Sequence, residues 1–172
     1  MALMAASLVC RAEDVYSFRG FVLGGGEDEL LRTLPYFTCR DSEDRSKGDR
    51  VCLADGGPSV MNYATLRAKE IAAYEFDGAV GQVTITINDC AYAQATELLD
   101  TMKARFGTPR GDVTLPNGGH AAEWSGAKIK VFYVSVALPR LIYCSVNYQT
   151  EAHRNELTKR KNAAAQDRTK GM

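Results

Sequence analysis

With two histidines in 172 residues and no close C-x-x-C cysteine pair, the chain is poor in metal ligands. His120 and His153 stand far apart, without H-E-x-x-H or comparable spacing, so they outline no metal site. No serine lies in a G-x-S-x-G turn, which excludes the nucleophile elbow of the hydrolases. No Lys-Ser or Lys-Thr pair follows the run Gly24-Gly25-Gly26, so there is no P-loop, and no cofactor motif occurs elsewhere. Carboxylates are plentiful, but none is singled out as a glycosidase-like pair. No apolar stretch approaches the ~20 residues that a membrane span requires. Net charge is absent as well, 21 basic residues balancing 21 acidic ones, and no tight basic cluster suggests nucleic acid or a membrane surface. The composition therefore reads as that of a non-catalytic protein.

What the chain does have is five cysteines. Ala2 to Val9 is apolar, and Cys10-Arg11-Ala12 closes it with a small residue before Glu13-Asp14. Residues 1–12 read as the remnant of a signal peptide cut after Ala12, although Met1-Ala2-Leu3-Met4 supplies no basic n-region. The alternative is a short buried N-terminal segment in a cytosolic protein with reduced thiols. On the first reading Cys39, Cys52, Cys90 and Cys144 reach an oxidising compartment as an even set, which predicts two disulfides and a periplasmic or secreted location. A Cys39–Cys52 bridge would clamp the base of a polar loop. Cys90 and Cys144 could then tie a helix to the sheet, a pairing reached partly by elimination, since four cysteines allow three connectivities. Zinc is the rival reading of the cysteines, and the lack of close pairs argues against it.

The body shows strands and two helices. Tyr16 to Leu23 is expected to be extended. After the glycines, Glu27-Asp28-Glu29 opens a helix that carries Leu30, Leu31 and Leu34 and stops at Pro35. Those carboxylates make the glycine turn a poor anion site, so it reads as structural. Tyr36 to Cys39 and Arg50 to Leu53 form a hairpin around an almost wholly polar loop. Ser59 to Glu70 is ambiguous, a loop with a helical turn. Ile71 to Phe76 and Gln82 to Asn88 are strands, and in the second Val83, Ile85 and Ile87 alternate with polar residues. Asp89 is expected to cap a helix from Cys90 to Phe106, ended by Gly107 and Pro109. Four strands follow: Asp112 to Leu115, His120 to Trp124, Lys128 to Val136 and Leu141 to Tyr148. His120 is expected to face solvent at a strand start.

These elements predict an α+β fold, an antiparallel sheet with helices packed on one face. Residues 13–149 form one domain of two similar helix-plus-four-strand halves, 13–88 and 89–149, matched in order of elements rather than in residues. Residues 150–172 form a polar, net-basic tail, helical or disordered, with six basic and three acidic residues. It lacks an apolar stripe, so it is expected to bury no face, with His153 exposed.

Gly20-Phe21-Val22-Leu23-Gly24, followed by Leu30 and Leu34, resembles the opening helix of small bacterial envelope domains of the BamE type. Arg105-Phe106-Gly107-Thr108-Pro109 resembles the helix exit of that group. Two such units in tandem are similar to the β-lactamase inhibitory protein (BLIP) family, and the stretch from Cys39 to Cys52, with Gly48-Asp49 close before the second cysteine, looks like the first disulfide loop of those inhibitors. The second half departs, since Cys90 and Cys144 are spaced unlike the inhibitors' second bridge. The resemblance implies a secreted α+β protein that blocks an enzyme by laying its sheet over the active site. The envelope-type relatives imply instead a structural or assembly component of the cell envelope.

The expected role is thus binding of a protein partner, without cofactor or metal. Arg40, Asp41, Glu43, Asp44, Arg45, Lys47 and Asp49 of the clamped loop are one set of candidates, because a rigid charged loop has little entropy left to lose. Trp124, Tyr133, Tyr143 and Tyr148 are the other, as aromatic anchors on a half-wet sheet. The sequence leaves the oligomeric state open.

Overall fold

The structure, a computed structural model, describes residues 16–116, 118–138 and 141–170. The expected leader and its cleavage after Ala12 lie outside the described residues.

Strict alternation in a strand puts every second side chain on one face of the sheet. In β6 (Ala79–Asn88) it buries Val83, Ile85 and Ile87 and leaves Gln82, Thr84 and Thr86 half-exposed. In register beside it, β10 (Leu141–Thr150) buries Cys144, Val146 and Tyr148 on the same face. The pattern continues outward through β9 (Ile129–Leu138), β8 (His120–Ser125) and β7 (Gly111–Thr114). On the other side it passes through β5 (Glu70–Phe76), β2 (Arg50–Ala54) and β1 (Phe37–Asp41). The result is an eight-stranded antiparallel sheet in the order β1-β2-β5-β6-β10-β9-β8-β7. With four helices among the described residues, the fold is α+β.

The core lies on the buried face. Leu30 of α1 (Glu27–Thr33) and Leu98, Leu99 and Met102 of α3 (Tyr92–Phe106) join one cluster with Ile71, Val83, Ile85, Val146 and Trp124. Each such aliphatic side chain taken fully from water stabilises the fold by roughly 1.5–3 kcal/mol. The expected cap of α3 is corrected. Asp89 takes a left-handed backbone (φ +54), Ala91 is the N-cap residue, and the Gln94 side chain accepts the Ala91 N–H at 2.8 Å. The helix ends as expected at Gly107, whose φ of +80 favours glycine.

Two short segments also differ from expectation. Tyr16 to Leu23 is not extended: Phe18 and Phe21 exchange both main-chain hydrogen bonds at 2.9 Å, and the tight loop between them buries both rings. The ambiguous stretch resolves into α2 (Pro58–Met61), with proline at its start, and a small hairpin of β3 (Asn62–Tyr63) and β4 (Leu66–Arg67). That hairpin drives Tyr63 into the core, where its hydroxyl lies 2.7 Å from that of Tyr148 and 3.3 Å from Met102 Sδ.

The tail requires a larger correction. It forms α4 (Glu151–Lys170), and His153 is 3% exposed instead of solvated. Its ring packs on Phe76 with centroids 4.5 Å apart. Gly81 makes room for it, since a Cβ there would stand 2.5 Å from His153 Cβ. Two turns further along the helix, the Arg160 guanidinium lies 4.1 Å from the Phe76 ring centre. Phe76 is buried but lies outside the main core cluster, so α4 does not share the packing of α1 and α3. No apolar stripe was needed: one imidazole and one guanidinium on an aromatic ring seat the helix.

Candidate partner-binding surface

Both disulfides are formed, Cys39–Cys52 and Cys90–Cys144. The first joins directly opposed residues of β1 and β2, and the second ties the segment just before α3 to β10. Sulfur in a disulfide has no thiolate to offer a metal or an electrophile. That matters because Glu27, Cys39 and Cys52 form the one convergent cluster of potential metal ligands among the described residues. Two disulfides fit an oxidising, extracytoplasmic setting. Among the described residues no helix is long and apolar enough to cross a membrane.

The clamped loop is ordered by its own polar groups. Ser42 N–H donates to the Asp49 carbonyl at 2.9 Å, and Asp44 accepts the Ser46 main-chain N–H at 3.1 Å. Arg40, Asp41, Glu43, Asp44, Arg45 and Lys47 are exposed, as a docking loop requires. Asp49 is not free to dock. Its two carboxylate oxygens accept from Arg160 Nη1 and Nη2 at 2.9 and 3.1 Å, and this hydrogen-bonded guanidinium holds its carboxyl below the usual carboxylate range. Arg160 also donates to the Arg45 carbonyl at 3.1 Å, so α4 braces the loop from outside. At its base, Arg50 donates to both carboxylate oxygens of Glu27 at 2.6 and 3.1 Å. Arg160 and Arg50 were absent from the sequence-derived candidates. The net-basic tail was the available signal, but its partner lies 111 positions away.

Three of the four aromatic anchors are corrected. Trp124 and Tyr133 are each 1% exposed, on the face covered by α1 and α3. Trp124 Nε1 donates to the Gly107 carbonyl and Tyr133 hydroxyl to the Ala95 carbonyl, both at 2.8 Å. Tyr148 is fully buried too. They hold the core and cannot reach a partner. Tyr143 lies on the opposite face, half-buried.

That opposite face carries what the sequence reading missed. On β9, Phe132, Val134 and Val136 are half-exposed there, beside Ala121 of β8. The two central strands add a neutral hydrogen-bonded ladder: Gln149 to Gln82 at 3.0 Å, Gln82 to Thr84 at 2.8 Å, Thr84 to Asn147 at 2.7 Å and Asn147 to Ser145 at 3.0 Å. Tyr74 of β5 continues the face, and Asp44 and Lys47 stand near enough to act on its hydroxyl, so the charged loop rims one end.

The seat of α4 beside this face is sensitive to acid. Burial pushes the pKa of His153 down to about 4, and the nearby Arg160 charge adds to this, the Lys47 main chain opposing it only in part. The unfolded imidazole titrates near 6.5. Above pH 6.5 the helix is seated at full strength. As pH falls from 6.5 towards 4 the released state binds a proton that the docked state refuses, so docking weakens by no more than about 3 kcal/mol. Loss of protection of α4 amides over that interval, measured by hydrogen exchange, is the expected result. In His153→Phe, which keeps a ring on Phe76 and cannot ionise, most of the pH dependence should be lost, the remainder at the acid end belonging to the Asp49–Arg160 pair. A helix equally protected at pH 4 and pH 7 in the wild type would contradict this.

Comparison of the chain with family models, with curated proteins and with solved structures returns no match.

Proposed function

We propose that this is a secreted or periplasmic protein-binding domain without catalytic activity, acting as an inhibitor of, or immunity factor against, an enzyme. The observation that carries the reading is the half-exposed sheet face. A surface that sets Phe132, Val134, Val136 and Tyr143 beside a neutral polar ladder, with one internally paired charge couple, Lys130–Glu123, next to Phe132 and the charged loop at one end, has the composition of a protein interface. The ladder is already satisfied internally, so little polar desolvation remains to oppose association. The exposed loop residues Arg40, Asp41, Glu43, Asp44, Arg45 and Lys47 complete the surface, held in place by a disulfide and by Arg160.

The proposal includes the two-halves reading. The order β1-β2-β5-β6 follows α1, and the order β10-β9-β8-β7 mirrors it around α3, which supports a tandem arrangement like that of the β-lactamase inhibitory proteins. The two disulfides support the compartment.

Affinity capture from extracytoplasmic extract, comparing wild type with Val134→Glu, tests the function. A carboxylate forced into the centre of an apolar contact costs about 2 kcal/mol or more, so retention should fall at least tenfold. A soluble hydrolase retained by the wild type and lost by the variant is the expected result. Retention of an outer-membrane complex would move the assignment to an envelope assembly component. No partner, or one held equally by both proteins, would count against the proposal.

A further inference from the structure

Where the first turns of α4 meet the end of the sheet there is a pocket of about 610 Å³. Phe76 of β5, Gly81 of β6 and Leu23 contribute to its wall. Phe76 shares its face of β5 with Tyr74, so the pocket borders the half-exposed sheet face. The charged lining is acidic in balance, Asp77, Glu151 and Glu156 against Lys128. Glu156 is already answered, accepting from Arg160 Nε at 3.0 Å and from Lys159 Nζ at 3.4 Å. The other two carboxylates are not. Among the described residues no basic side chain pairs with Asp77, and Glu151 has only Arg154 at 4.0 Å, its own side chain 70% exposed.

His153 lacks a partner in the same place. It is 3% exposed and belongs to the pocket wall, and neither ring nitrogen makes a hydrogen bond of normal geometry, although the Lys47 main chain acts on the ring. Its Nδ1 lies over Gly81, 2.7 Å from where a Cβ would stand. Burial keeps the ring neutral at pH 7, and a neutral imidazole carries one acceptor nitrogen, which is unfavourable to bury without a donor. The surplus of carboxylates disfavours an anion here, and an apolar group would leave both the imidazole and the carboxylates unanswered. The imidazole and the carboxylates do not converge closely enough to share a metal ion. A cation that carries N–H donors answers both.

We infer, resting on the binding role proposed above, that this pocket receives a basic side chain, arginine or lysine, from the protein that covers the sheet face. Its N–H groups reach the His153 acceptor, and its charge is set against Asp77 and Glu151. A basic anchor in a pocket beside an apolar contact fits the way a few residues carry most of an interface's affinity.

The pocket is tested without the partner. The full chain, both disulfides intact, is titrated at constant ionic strength with Nα-acetyl-arginine amide and with Nα-acetyl-lysine amide. Nα-acetyl-citrulline amide, close in shape to the arginine probe but uncharged, is the control. Saturable amide shifts at Gly24, Asp77, Gly81 and Ala152 are expected with a basic probe and not with citrulline. Asp77→Asn combined with Glu151→Gln should weaken binding about tenfold, and Lys128→Gln should tighten it about twofold. All three positions are exposed, and asparagine tolerates the left-handed backbone of Asp77 (φ +51), so the variants should fold. Shifts no larger than those with citrulline, or a double variant titrating as wild type, would overturn the inference. In the capture experiment, the partner retained by the wild type should be held about tenfold less by the double variant, and equal retention would overturn the inference too. If the wild type captures nothing, the binding role fails while the probe titration still decides the chemistry of the pocket.

Discussion

Replacing Cys90 and Cys144 together by alanine is expected to destabilise the domain by about 4 kcal/mol, on the chain-entropy model for a loop of this length. The bridge spans 54 residues, so its removal lets the unfolded chain sample far more conformations. Both cysteines are also buried, 3% and 0% exposed, so the substitution adds small voids at the junction of α3 and β10. The Cys39–Cys52 bridge spans only 13 residues and joins strands already paired in register, and its loss should cost about 3 kcal/mol. Urea unfolding checks both. The Cys90→Ala/Cys144→Ala variant should have the lower midpoint and a steeper transition, because an uncrosslinked unfolded state exposes more surface. A midpoint equal to that of the wild type would refute the account, and so would a larger effect from the shorter loop.

Trp124→Ala should cost about 3–5 kcal/mol, the usual range for truncating a fully buried aromatic. Trp124 packs 6.0 Å from Phe106, which in turn contacts Tyr16 and Tyr148. Alanine would therefore open a void where α3 ends against β8. Trp124→Phe separates packing from hydrogen bonding. It refills most of the volume and loses only the donor to the Gly107 carbonyl; Gly107 is exposed, so water can replace that donor and the cost should be about 1 kcal/mol or less. Circular dichroism is the suitable measurement, since Trp124 is the chain's single tryptophan. Trp124→Phe should also leave partner retention unchanged. If it abolished binding in a stably folded protein, the assignment of Trp124 to the core would be wrong.

The correction of Trp124 and Tyr133 shows where a sequence stops being legible. In β6 one set of alternate residues is apolar and the other polar, so the buried face could be read directly. In β9 both sets are apolar, Val131 and Tyr133 against Phe132, Val134 and Val136, and alternation alone cannot say which set meets the core. The choice is made by α3, which crosses the Tyr133 side and takes that hydroxyl on the Ala95 carbonyl.

By itself the sequence determined most of the strands and helices and the even set of cysteines from which the braces are made. Proline and glycine punctuation, period-two alternation and an even set of cysteines are local or countable signals, and helix, strand and disulfide formation respond to them directly. Only the tertiary structure decided which face of the sheet is open and that the tail is seated. His153 is buried because Gly81 has no Cβ and Phe76 offers a ring, and Arg160 braces the loop because Asp49 stands opposite it. Such contacts depend on residues that are close in space and distant in the chain, and no periodicity records them.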